Sequence, residues 1–481
     1  MRKQVTLPLC LVSCLCLYGC ASLSGAEADT NEIEETAETE QPEAEQETAR
    51  TYLSEEDIKI ESTIDNSTDG GHALEASGET MSLSNALITK SGDSQGDEAD
   101  FYGENAAVYA HDGATLDLSQ LLIKTNGTHA NAVFSYGSGT TVNISDSVIY
   151  TEGNCSGGLM TTGGGTTNAE NLTIHTTGNS SAAIRSDRGG GIVNVDGGSY
   201  TTEGKGSPVI YSTADITVSN AEMTSTSAQG VVVEGKNSVT LNNCDLTAEN
   251  VSKNSDKSDT YQAVMIYQSM SGDAAEGEAS FTMNCGTLVN KNGDIFFVNN
   301  TVASISLNNA EIINESDGVF LRAAAAGWGS QGSNGGHVTM YARQQNIDGG
   351  IIVDDVSTLN LYLQNGSAFT GAIENEGEVY VELSGGSTWT LTADTSITSL
   401  SCDVNSINLN GHKLYVNGEE YQEGTSSSGE AIEVEITSSG GMPDGAPPEM
   451  PGGEGGHGPG GEPPEKPDGG HVPGGEPPAK P

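Results

Sequence analysis

The chain of 481 residues sets 67 Asp and Glu against 18 Lys and Arg, a formal net charge of −49. That balance excludes nucleic acid as a partner, because gripping a phosphate backbone takes concentrated Lys and Arg and no basic run occurs. It suits an exported protein held in solution by carboxylates; no cofactor is expected, though such a surface is suited to attract divalent cations such as calcium.

Arg2 and Lys3 precede an apolar run from Val5 to Tyr18, the anatomy of a secretory leader and shorter than the roughly 20 residues a spanning helix needs. Its end, Leu17-Tyr18-Gly19-Cys20, resembles a bacterial lipobox. The resemblance implies removal of residues 1–19, lipidation of Cys20, and a lipid-anchored protein in the cell envelope facing the exterior. Losing Arg2 and Lys3 takes the net charge from −49 to −51. Of eight cysteines, Cys10, Cys14 and Cys16 depart with the leader and Cys20 takes lipid, which leaves Cys155, Cys244, Cys285 and Cys402. None forms a CxxC pair, so neither a zinc cluster nor a disulfide-built scaffold is expected and no metal site is assigned. Cys244 and Cys285 fall at nearly equivalent places of the repeat described below, which suits either a disulfide or two buried thiols.

From Glu27 to Glu47 there are ten acidic residues and no basic ones. Such a stretch cannot bury enough apolar surface to fold, and residues 20–57 read as an acidic disordered spacer. At the far end, "GGHGPGGEPPEKP" returns fourteen residues later as "GGHVPGGEPPAKP", and twelve of the fifteen prolines lie beyond Gly440. Residues 426–481 therefore read as a disordered, extended Gly/Pro-rich tail.

The body, residues 58–425, is a repeat. "NAAVYAHDGATLDLSQLLIKTNG" at Asn105 is followed by "NAVFSYGSGTTVNISDSVIYTEG" at Asn131, with further copies at Gly157, Ala182, Pro208 and Gly230 and looser ones near Ala263, Asp294, Gly318 and Gly350. The period is roughly 21 to 27 residues. Each copy holds three short runs of period-two alternation separated by Gly, Asn, Asp or Ser, which predicts three strands and three turns. No copy can bury its apolar face alone, so the copies must stack, each strand pairing in parallel with its equivalent about 4.8 Å away. Val142 and Ile144, Val193 and Val195, Ile216 and Val218, and Val239 and Leu241 keep one phase and are expected inside. Asp146, Asn171, Asn220, Asn243 and Asn309 recur just after that strand, where a sharp corner requires a left-handed backbone and stacked side chains can bond along the axis.

These residues resemble the right-handed parallel β-helix superfamily, which includes pectate-lyase-like enzymes, bacterial adhesins and carbohydrate-binding surface proteins. The resemblance covers roughly Ile60 to Gly418. It implies an all-β fold, a right-handed parallel β-helix of about ten or more coils with three strands each. It leaves function open, because one scaffold carries many activities.

Aligning the first strand of each copy puts Val108, Val133, Leu159, Ile184, Ile210 and Val232 in an inward column. The next residue then points out. That outward column reads Tyr109, Phe134, Met160, Arg185, Tyr211 and Val233, a stripe of rings and one guanidinium. Aromatic faces stack on sugar rings and a guanidinium forks onto hydroxyls or carboxylates, so Tyr109, Phe134, Arg185 and Tyr211, with Lys205 nearby, are the candidate ligand contacts. The alternative is that these side chains pack beneath a loop or beneath the segment from Ile58 to Glu104.

A glycoside hydrolase needs two carboxylates about 5 to 10 Å apart, and a lyase needs a basic residue beside acidic groups that hold calcium. Asp187, Arg188 and Glu234 are the nearest candidates for catalysis. The reading that results is a non-catalytic, monomeric surface protein that binds polysaccharide or another surface ligand. A polysaccharide lyase or hydrolase acting on acidic polysaccharide, and a structural envelope protein, are the alternatives.

Overall fold

A computed structural model of the protein describes residues 51–434, apart from residues 254 and 270. The leader, Cys20, most of the acidic spacer and most of the Gly/Pro-rich tail lie outside the described residues. Within them the fold is all-β. Strands gather into one twenty-stranded and one twelve-stranded sheet with smaller sheets of four and three, and one short helix, α1 (Asp97–Tyr102), interrupts them.

The strands of the repeat pair in parallel with their counterparts in the next copy. Val108 pairs with Val133, Val133 with Leu159, Leu159 with Ile184, and Ile184 with Ile210. In the twelve-stranded sheet the step from one copy to the next ranges from 21 residues, Ile210 to Val231, to 34, Leu74 to Val108. Length differences are absorbed by loops, so the strands keep their register while the sequence spacing varies. The 21-residue step also shifts one expected assignment. Val231, not Val232, continues the inward column, and Val232, not Val233, follows Tyr211 on the outside.

Alternation decides what each face buries. Strand Thr141–Ser145 runs half-buried, buried, half-buried, buried, half-buried, with Val142 and Ile144 inside the main apolar core. The equivalent pairs Val193 and Val195, Ile216 and Val218, and Val239 and Leu241 lie there too. β-Branched side chains suit this surface because their restricted rotamers pack well on a pleat. At the corner that follows, Asp146, Asn171, Asn220, Asn243 and Asn309 all have positive φ, between 46° and 55°. Their side chains form the expected ladder: Asn171 Nδ2 donates to Asp146 Oδ1 at 2.7 Å and Asn243 Nδ2 to Asn220 Oδ1 at 2.9 Å. Cys285 takes the same corner position with φ 59°, exposed, while Cys244 is buried with its thiol donating to the Val218 carbonyl at 3.3 Å; the two are not joined in a disulfide, and only one of them is buried.

A second corner is built from glycine and serine. A Cβ on Gly178 would fall 1.8 Å from the Gly153 carbonyl oxygen, and one on Gly204 equally close to that of Gly178. Only glycine lets the copies approach to that distance. Beside it, Ser181 accepts from the Ser156 N–H at 3.0 Å and donates to the Gly153 carbonyl at 3.0 Å, so a buried serine column satisfies the backbone groups the corner exposes.

The folded body reaches further at both ends than composition suggested. Leu53 and Ile58 pack on Leu122 and Val148, and Thr173 Oγ1 donates to the Leu53 carbonyl at 2.7 Å, so residues from Thr51 belong to the body rather than the spacer. Ser427–Ser428 pairs antiparallel with Ser401–Cys402, and Glu419–Glu420 with Tyr415–Val416. These reversals cover strand edges that would otherwise present unpaired backbone.

Candidate functional site

The outward column exists, and it is covered. Strands of the twelve-stranded sheet, such as Val108–His111 and Val231–Glu234, are buried on both faces, unlike the alternating strands of the larger sheet. Tyr109, Phe134, Met160, Arg185, Tyr211 and Val232 are each at most 4% exposed. The expected open stripe is therefore an internal layer.

The cover at one end is α1 with its flanking loops. It closes on Gly103, in the left-handed region at φ 76°, where a Cβ would meet the Tyr109 and Phe134 rings at 2.8–2.9 Å. Thr162 Oγ1 donates to the Phe101 carbonyl at 2.7 Å, and the Tyr102 ring meets Tyr136 edge-on at 5.7 Å. Further along, Tyr211, Val232, Met265, Tyr267, Phe297 and Trp328 form a second apolar cluster beneath the loop carrying Trp328.

Arg185 and Tyr211 in this layer are paired with buried carboxylates. Arg185 Nη2 donates to Asp187 Oδ2 at 2.8 Å and to Asp100 Oδ2, on α1, at 3.1 Å. Burial works against the guanidinium charge, but Asp100 and Asp187 outweigh it and raise the Arg185 pKa above its ordinary value. Glu234 Oε2 accepts from the hydroxyls of both Tyr211 and Tyr267, the latter at 3.1 Å. Burial, then the Glu234 charge, pushes both phenols well above their usual range.

The candidate catalytic residues do not assemble in a cleft. Asp187 and Glu234 are fully buried, Asp187 against Arg185 and Glu234 against Tyr211 and Tyr267. Arg188 turns away from Asp187: it bonds Asp273 Oδ1 at 3.0 Å and lies 3.9 Å over the Phe101 ring. Lys205 is exposed at the glycine corner, its N–H bonded to Asn179 Oδ1 at 2.9 Å, apart from the outward column.

The open surface lies elsewhere, on the polar face of the second strand. A groove of about 840 Å³ runs there, lined by outward residues of successive copies such as Asp117, Asn143, Asn168, Asn194, Glu170 and Asp196. Asn143 Nδ2 donates to Asp117 Oδ1 at 2.7 Å, Asn168 to Asn143 at 2.9 Å, and Asn194 to Asn168 at 2.9 Å. The amides thus form a continuous ladder along the groove floor, and among the described residues no Lys or Arg lines it.

By strand register the same row continues from Asn194 through Thr217, Thr240, Thr282 and Ser306 to Tyr341 and Tyr362. Those two rings are half-buried and stacked, with centroids 5.0 Å apart and planes 15° from parallel. Arg343 lies 5.0 Å over Tyr341. Sequence reasoning missed this row because it weighed the first strand alone. The signal was present in the second strand, where Asn143, Asn168 and Asn194 recur at the same outward position.

Comparison with family models, with curated proteins and with solved structures finds no match to this chain.

Proposed function

We propose that the protein is a non-catalytic, lipid-anchored cell-surface protein, a right-handed parallel β-helix of about ten or more coils with three strands each, that binds a neutral polysaccharide along its open second-strand face. The observation that carries this is the row that holds both an amide ladder and, further along, the stacked Tyr341 and Tyr362 rings. Amides and hydroxyls exchange hydrogen bonds with sugar hydroxyls, and tyrosine faces pack on the apolar faces of sugar rings. Members one strand apart recur about every 4.8 Å, which suits a ligand that is itself a repeat, since many weak contacts act together.

Charge selects among glycans. Asp117, Glu170 and Asp196 line the groove without a cation, within a chain of net charge −49, and a uronate-rich polymer would be repelled. This favours a neutral polymer over the acidic polysaccharide that the lyase or hydrolase alternative requires. Neither a cofactor nor calcium is part of the proposal.

The test is a panel of neutral and acidic polysaccharides, scored for retention of the protein and for new reducing ends. Retention on neutral polymers without cleavage supports the proposal. No retention on any polymer would refute it. Cleavage lost on replacing Glu170 and Asp196, which pair on adjacent strands, would move the protein to the hydrolase class.

A further inference from the structure

Beneath α1, apart from the groove, three side chains of unlike chemistry converge. Asp100 comes from α1, and His129 and Cys155 come from consecutive copies of the repeat; one donor atom from each lies within 4.8 Å of the other two. His129 Nδ1 and Asp100 Oδ1 are 3.1 Å apart. The Asp100 and His129 side chains are 8% and 12% exposed, and Cys155 is half-buried.

The backbone accounts for the convergence. His129, Cys155 and Ser180 take the same place at one corner, each left-handed, with φ 56°, 55° and 54°. The N–H of each donates to the carbonyl of the copy after it: His129 to Asn154 at 2.9 Å, Cys155 to Asn179 at 2.8 Å and Ser180 to Lys205 at 3.0 Å. Equivalent side chains then leave the corner about one strand spacing apart. An imidazole and a thiol are held side by side, and α1 brings a carboxylate to them.

The surroundings complete a metal-site pattern. Arg185 Nη2 bonds Asp100 Oδ2, which fixes the carboxylate and leaves Oδ1 turned to His129. This is the role of an outer-shell partner that orients a ligand. With Cys155 as thiolate, it, Asp100 and Asp187 supply three negative charges against the single charge of Arg185. One divalent cation brings that group to neutrality.

We propose that Asp100, His129 and Cys155 form a binding site for a thiophilic divalent cation such as Zn(II). Tetrahedral zinc, with bonds of about 2.0 to 2.3 Å, sets its ligand atoms roughly 3.3 to 3.8 Å apart, a small adjustment from the spacing observed. Water fills the fourth position. Binding releases the Cys155 thiol proton to solvent, and the His129 nitrogen that ligates is the unprotonated one. The bound ion ties α1 to two corners of the stack and fastens the cover over Tyr109, Phe134 and Arg185. The site stands independently of the polysaccharide reading.

Titration of the full chain with Co(II), followed by optical absorption, tests this. One equivalent should produce a thiolate-to-metal charge-transfer band that Zn(II) abolishes. Cys155→Ser should remove the band, and His129→Asn should weaken binding tenfold or more. Both variants keep the corner, because Ser180 already occupies the same left-handed position and asparagine tolerates it well. No band in the natural protein, or a band that persists in Cys155→Ser, overturns the proposal. Alkylation of the natural protein with iodoacetamide, read at Cys155 by peptide mass, needs no variant. Zn(II) should protect Cys155, and unchanged labelling would overturn the site.

Discussion

Arg185 and Asp100 stand 85 residues apart in sequence and meet in a buried ion pair at 3.1 Å, which Asp187 completes from the other side. Two buried carboxylates share the Arg185 guanidinium, so the arrangement is asymmetric in what its loss costs. Arg185→Leu leaves both anions in a water-poor layer and should destabilise the fold by about 3 to 5 kcal/mol. Asp100→Asn keeps Asp187 on the guanidinium and should cost less. Denaturant midpoints of the two variants check this order; equal losses would mean that the pair adds nothing beyond packing.

The glycine corner gives a sharper case. At Gly178 the obstruction is the backbone oxygen of Gly153, which cannot swing aside as a side chain could. Gly178→Ala should therefore destabilise by more than about 3 kcal/mol, well beyond the usual surface substitution. Gly113→Ala is the contrast, since no atom lies within 4 Å of its added carbon; there only the left-handed φ of 79° opposes the change, at a cost of about 1 kcal/mol. Thermal midpoints of the two variants should separate clearly.

Two histidines set a pH dependence. Burial lowers the His72 pKa below its ordinary 6.5, and burial lowers that of His337 against the pull of Asp354. In the folded chain both stay neutral to lower pH than in the unfolded chain, so between the two pKa values the unfolded state binds more protons. Their contribution to stability is full above pH 6.5 and is lost as pH falls from there through the folded-state values. Urea midpoints at about pH 7.5 and about pH 5.5 should differ, and His337→Gln should narrow the difference. A midpoint that rises on acidification would contradict the sign.

Much of this molecule can be read in its sequence, and the unreadable part has a physical cause. Alternation and the recurrent Asn and Asp revealed the strands, the inward columns and the left-handed corners, because each copy must solve the same packing problem. The slip at Val232 arose where three consecutive valines, Val231 to Val233, fit either register and the step shortens to 21 residues. The cover over Tyr109 and Arg185 left no periodic trace, since α1 and the Trp328 loop are insertions that occur once each. An outward ring in a strand therefore looks the same in sequence whether it meets water or a lid. His129 and Cys155 share one column of the repeat, but their third partner, Asp100, comes from such an insertion.

The central claim is that a glycan lies along the second-strand face and reaches Tyr341 and Tyr362. Its most direct test is titration of the natural protein and of the Tyr341→Ala, Tyr362→Ala double variant with a retained neutral polysaccharide, followed by calorimetry. Two lost ring contacts of about 0.5 to 1.5 kcal/mol each predict an affinity lower by about fivefold to a hundredfold, with the fold intact by circular dichroism. Equal affinity in the two proteins would contradict the account.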